Sequence, residues 1–238
     1  MRIPEHVLHA FQVEGSGEDM SPAWDGGQRF GRVVVSPAVE TAVWSAKCRE
    51  KLAGEVEGVR IARPVRATDG RLVVGGFAAN EFAEGETAAR IDEAVGASLL
   101  IDAALTSHPS QPPSAPREGD VWADADRAVW ADGDVDSSGV VANLSMLRHC
   151  LFDGMLPPTL IGLVPSAGLR PRGYTAAIVI VDGLLASAVD PGVIRRWAHV
   201  PRIDELVRRA YEFREAGEAH LESNARANLR RVREIVFA

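Results

Sequence analysis

Trp24-Asp25-Gly26-Gly27-Gln28-Arg29-Phe30-Gly31-Arg32-Val33-Val34-Val35-Ser36-Pro37 organises the N-terminal third of the chain. Its first four residues form a turn. The β-branched run Val33-Val34-Val35 predicts a strand over Arg29 to Ser36, because branched side chains suit a pleated, half-buried surface. Pro37 has no N–H for a ladder and stops the strand. Adjacent glycines let backbone N–H groups approach an anion. Trp24, Asp25, Gly26 and Gly27 are therefore candidate ligand-binding residues, although the carboxylate of Asp25 would repel a phosphate.

Working outward, Pro4 suits a first helical turn, and Val7, Leu8 and Phe11 form an apolar stripe, so a short helix precedes the turn. Residues 38–53 have helical composition, with Gly54 as terminator. Val59 to Val65 and Arg71 to Phe77 read as two strands joined by Thr68-Asp69-Gly70, an Asp-Gly hairpin signal. A β-rich region of residues 1–85 results. Beyond it the pattern becomes helical over 87–105. A Pro/Ser-rich connection follows at 106–119, where the prolines exclude helix. Residues 120–131 return to helix, and residues 118–136 carry an acid-rich, solvated stretch. Thr159 to Val164 predicts a short buried strand. Tyr174 to Leu185 is one apolar run whose length and alanines favour a buried helix. From Pro191 onward the pattern is helical, with arginines and glutamates spaced for solvent-facing ion pairs.

The 238 residues are 46% hydrophobic and 25% charged, a globular balance that excludes wholesale disorder. The charge sum of 26 basic and 33 acidic residues is −7, which argues against a nonspecific nucleic-acid binder. No run of eighteen apolar residues predicts a bilayer span. The opening residues lack the charge and apolar pattern of a secretory signal, so a cytoplasmic protein without membrane association is expected. The two cysteines, Cys48 and Cys150, are expected to be reduced there. No spacing of His, Cys or acids matches a metal motif, so no metal ligand is assigned.

His149-Cys150 is the most reactive-looking pair. A thiol beside Arg148 and His149 has neighbours that would lower its pKa, and His149 could serve as a base. Asp153 and Tyr174 are further acid–base candidates. Asp182 interrupts an apolar helix and needs a buried partner. Arg170 and Arg172, bracketing Pro171, could bind an anionic or peptide ligand, or simply face solvent.

The stretches PEHVLHAF, PAWDGG, GRVVVSP, DVWADADRAVW, RGYTAAIVIVDGLL and RRWAHVP, in this order, resemble a family of actinobacterial proteins related to aminoglycoside phosphotransferases. The resemblance implies an α+β, bilobal protein-kinase-like fold, with a β-rich N-terminal lobe over 1–85 and a helical C-terminal lobe over 86–238. It also implies a nucleotide site between the lobes. Phosphoryl transfer needs carboxylate and amide ligands for Mg²⁺, a cation on the phosphates, and a carboxylate near the attacking hydroxyl. Aligned on Leu151-Phe152, the family's catalytic aspartate becomes Cys150, and its metal-binding asparagine becomes Gly154. The second metal carboxylate becomes Gly162, and the phosphate-holding lysine becomes Ser36. A register shift of three would return an acid, Asp153, but neither the asparagine nor the acid at 162.

The resemblance therefore implies a degenerate member without cofactor or metal, which binds a peptide or metabolite in the groove between the lobes. Partner biosynthetic enzymes are also expected. A second expectation is an enzyme with ATP-independent chemistry, a thioether-forming peptide cyclase using His149, Cys150, Asp153 and Tyr174. A third is a surviving small-molecule phosphotransferase.

Overall fold

The structure, a computed structural model, describes residues 2–108, 110–113, 120–132 and 139–238. In chain order its elements are α1 (Glu5–Ala10), β1 (Glu18–Asp19), β2 (Gln28–Phe30), β3 (Val33–Pro37), α2 (Ala42–Leu52), β4 (Arg60–Ile61), β5 (Pro64–Val65), β6 (Val73–Val74) and β7 (Phe77–Glu81). There follow α3 (Ile91–Ser107), α4 (Val121–Val129), β8 (Val140–Asn143), β9 (Cys150–Leu151), β10 (Thr159–Leu160), β11 (Pro165–Arg170), α5 (Tyr174–Leu185), α6 (Val193–Arg196), α7 (Ile203–Ala216) and α8 (Ser223–Val236). The chain is mixed α+β. No helix among the described residues is long and apolar enough to cross a membrane. The Pro/Ser-rich connection at 106–119 and the acid-rich stretch at 118–136 lie partly outside the described residues.

The chain divides into two compact units. The first comprises residues 1–88 and 148–164, the second residues 89–147 and 165–238. In the first unit, β1, β2, β3, β7 and β5 form an antiparallel sheet in that order, with β6 also on β7. A second small sheet pairs β10 parallel to β4 and antiparallel to β9.

The alternation of β3 decides what each face meets, since successive side chains point to opposite faces. Val33 and Val35 pack with Ile3, Val7, Phe11, Phe30 and Val74, so α1 covers one face. Val34 instead packs with Trp24, Ala62, Ala83, Leu151 and Ile161. Ser36 shares the parity of Val34.

Two expectations change here. Arg29 to Ser36 is not one strand, because Gly31, at φ 59°, turns the chain between β2 and β3. The Asp-Gly turn does form, closed by Gly70 N–H to the Ala67 carbonyl at 2.8 Å. Its flanking segments, however, pair with β7 rather than with each other. The two-residue hairpin lies one step later. Gly75 and Gly76, at φ 57° and 82°, join β6 to β7. Successive positive φ values twist such a turn to match its strands, which glycine alone does without strain.

The second unit is built on α5. Every residue of α5 except Asp182 is buried, the signature of a helix surrounded by other elements. It packs against α3, α7 and α8. Gly183 lets α3 approach, since a Cβ there would lie 2.9 to 3.0 Å from the Ile91 side chain. The antiparallel pair β8–β11, bulged between Pro165 and Leu169, closes this unit.

Candidate functional site

The turn at Trp24 is the centre of the candidate site. A single 3-10 turn, Pro22–Trp24, leads into Asp25 and Gly26, both in the left-handed region at φ 54° and 67°. For Asp25 that conformation is uncommon, and short polar side chains tolerate it best. The turn is closed on itself. Trp24 N–H donates to the Ser21 carbonyl at 3.0 Å, Asp25 N–H to that of Pro22 at 3.1 Å, and Gly27 N–H to that of Trp24 at 3.0 Å. A Cβ on Gly27 would lie 2.8 Å from both the Val35 carbonyl oxygen and the Ser36 Cβ. The turn therefore sits directly on β3.

The Trp24 indole is 4% exposed. It packs among Val34, Ala62, Ala83, Leu151 and Ile161 and stacks on Phe82, with ring centroids 6.0 Å apart and planes at 27°. The Arg29 guanidinium lies 3.5 Å from the Phe82 centroid, within cation–π range.

Asp25 joins this turn to the segment entering β9. Its carboxylate accepts a hydrogen bond from Arg148 Nη2 at 3.0 Å, and His149 Nε2 lies 3.8 Å from its other oxygen. Partial burial pushes the Asp25 carboxyl up, but His149 and Arg148 together outweigh this and hold it below the ordinary range. The His149 ring is nearly buried and lies over Gly162, where a Cβ would come within 3.1 Å of it. The backbone fixes this placement, because Ile161 N–H donates to the His149 carbonyl at 2.9 Å. Ser45 Oγ in α2 accepts from Leu163 N–H at 3.0 Å, which ties α2 to the same segment.

The structure thus gathers Trp24, Asp25, Gly27, Arg148 and His149, with Ser36 beneath. The chain matches no family model and no curated protein. Its chemistry must be read from the groups themselves. Among the described residues, no cluster of three or more His, Cys, Asp or Glu side chains is placed to hold a metal ion.

The other sequence candidates lie elsewhere. Cys150, next to His149, is in β9 and fully buried. Asp153 and Gly154 belong to the turn between β9 and β10, closed by Leu156 N–H to the Asp153 carbonyl at 2.9 Å. Tyr174 opens α5 in the second unit and is fully buried. Burial first, and Asp126 second, push its hydroxyl well above the usual tyrosine range. Neither its oxygen nor Trp130 Nε1, whose ring meets it edge-on at 5.1 Å, completes a hydrogen bond.

Arg172 faces solvent, as the simpler reading of that pair expects. Arg170 does not. It is 6% exposed, and its fork grips the fully buried Asp126 at 3.0 and 2.6 Å. Asp182 finds its partner in Arg214, at 2.6 and 2.7 Å. Sequence reading missed Asp102, Asp126 and Arg49. Each has its partners far away in the chain, and no local pattern announces them.

Proposed function

We propose that the protein is a degenerate relative of the kinase-like small-molecule phosphotransferases. It recognises a peptide or metabolite through the face of the first unit built on the Trp24–Gly27 turn, and it does not transfer phosphate. The observation that carries this reading is the closed state of that turn. A phosphate cradle presents open N–H groups in positive surroundings. Here the N–H groups of Trp24, Asp25 and Gly27 bond within the turn. Asp25 adds a carboxylate at its tip, and Gly27 rests on Val35 and Ser36. The kinase-like plan is supported by the order of an antiparallel sheet, a helix after β3, and a second unit built on a buried helix.

Donor chemistry agrees with the loss of transfer. Ser36 brings a hydroxyl where a phosphate-holding cation is required. Gly162 brings no side-chain oxygen, and the His149 ring covers the space above it. The buried thiol of Cys150 and the buried hydroxyl of Tyr174 are out of reach of substrate. This weighs against peptide cyclisation through these two groups.

The test is thermal denaturation with ATP and Mg²⁺, followed by calorimetric titration. A nucleotide at 100 times its dissociation constant stabilises a protein by about 2.7 kcal/mol. No magnesium-dependent shift is expected at millimolar Mg²⁺-ATP. A saturable shift that requires both ATP and Mg²⁺ would overturn the proposal.

A further inference from the structure

We infer that Trp24 is a removable plug in a slot for a planar, indole-sized aromatic group, held shut by the contacts of Asp25 with Arg148 and His149. The inference rests on the functional reading above and names the chemistry its ligand would present.

The slot is defined by what surrounds the indole. Val34 comes from β3, Ala62 follows β4, Ala83 follows β7, Leu151 lies in β9 and Ile161 follows β10. These walls are aliphatic and come from five separate stretches of chain. Trp24 is the one large ring among them, and the Phe82 ring lies stacked against it. Aromatic surface is what such walls recognise, since they offer apolar contact and an aromatic face. That face, the Phe82 ring, also carries the Arg29 guanidinium at 3.5 Å.

The plug differs from the walls in how it is carried. Each wall residue is in a strand or within two residues of one, whereas Trp24 ends a single 3-10 turn. Two consecutive left-handed residues follow it, the first of them the non-glycine Asp25. Withdrawing the indole requires this turn to move, not a strand to leave its ladder. At its tip the turn is held by the contacts of Asp25 with the exposed Arg148 and the nearly buried His149. The side chains of Arg148 and Asp25 are 56% and 36% exposed, so their ion pair is weak and replaceable.

The test uses the full chain and indole as the probe. Trp24→Ala empties the slot, and Trp24→Phe is the conservative control. Indole is expected to raise the melting temperature of Trp24→Ala saturably, by about 3–6 °C at ten times its dissociation constant, with no response from the wild type. In protein labelled with 5-fluorotryptophan, the resonance absent from Trp24→Phe reports the plug. Asp25→Ala, which keeps the indole, is expected to shift or broaden that resonance and to let added indole move it further.

A folded Trp24→Ala that ignores indole would overturn the inference. If Trp24→Ala does not fold, a Trp24 resonance unchanged by Asp25→Ala and by indole would do the same. Mg²⁺-ATP is titrated in parallel. Nucleotide binding to the wild type overturns the functional proposal, whereas failure of indole alone overturns only the plug.

Discussion

Asp102→Asn measures what a buried charge does to the second unit. Asp102 lies on α3 and is 2% exposed. Its Oδ2 accepts from Gly173 N–H at 2.8 Å, and its Oδ1 meets Thr175 Oγ1 at 3.5 Å. Burial pushes the carboxyl up to about 7, against the smaller opposite pulls of Gly173 N–H, exposed Arg172 and the Thr175 hydroxyl. In the unfolded chain the same group titrates near 3.8.

The folded state therefore holds a proton that the unfolded state has released across this interval. The associated stability is fully present below pH 4 and is lost as pH rises to about 7. Three pKa units correspond to about 4 kcal/mol, and relaxation around the ionised group reduces this to about 2–4 kcal/mol.

Asparagine keeps the shape and the acceptor for Gly173, stays neutral, and can donate to Thr175 Oγ1. The stability of Asp102→Asn relative to wild type should thus rise by about 2–4 kcal/mol between pH 4 and pH 8. The assay is urea denaturation at each pH, with amide exchange in α3 and α5 to report the second unit by itself. Parallel pH profiles for the two proteins would refute the reasoning.

Asp126→Ala strands the Arg170 guanidinium and should cost about 3–5 kcal/mol in urea denaturation, while Asp126→Ala with Arg170→Met should cost less than the single change. An additive double mutant would count against a buried ion pair. Gly183→Ala drives a methyl into Ile91 and should destabilise by about 1–3 kcal/mol, a loss that Ile91→Val should partly reverse if the contact is its cause. Cys48 and Cys150 are buried and not joined in a disulfide, so a thiol reagent should find both only after denaturant is added. Prompt labelling of either in native protein would show that its segment opens.

Local chemistry explains what the sequence made legible. The β-branched run at Val33-Val34-Val35 and the apolar continuity of Tyr174 to Leu185 gave β3 and α5, because propensity and burial point the same way there. β11 was hidden: Pro165 and Gly168 obscure it, and it survives in a two-stranded pair with a bulge. The true hairpin at Gly75-Gly76 was masked by reading Arg71 to Phe77 as one run, since a period-2 pattern does not register a reversal at glycine.

The candidate site was legible only in pieces. Trp24 to Gly27 and His149 each stood out, but Asp25 and Arg148 are 123 residues apart. Nothing local joins a turn to a segment that the fold brings back. The burial of Arg170 was invisible for the same reason, because its partner Asp126 lies 44 residues earlier.

The bias toward arginine has a structural counterpart. Lys47 and Lys51 are the only lysines among 26 basic residues, and both face solvent on α2. Arg49, between them, is 4% exposed. Its fork donates to the Ala62 carbonyl at 2.6 Å and to Asn80 Oδ1 at 2.7 Å, tying α2 to β7 and the end of β4. Burial pushes its pKa down to about 10, so it keeps its charge near neutrality. A lysine in that place would lack the fork, and the same burial would lower its pKa below the ordinary lysine value. A base with a lowered folded pKa makes the fold gain stability as pH climbs above that value, because the unfolded chain binds the extra proton. The deficit of Arg49→Lys relative to wild type should therefore narrow between pH 7 and pH 10 in urea denaturation. A deficit constant across that range would mean that the fork alone, and not the durability of the charge under burial, makes arginine the residue required there.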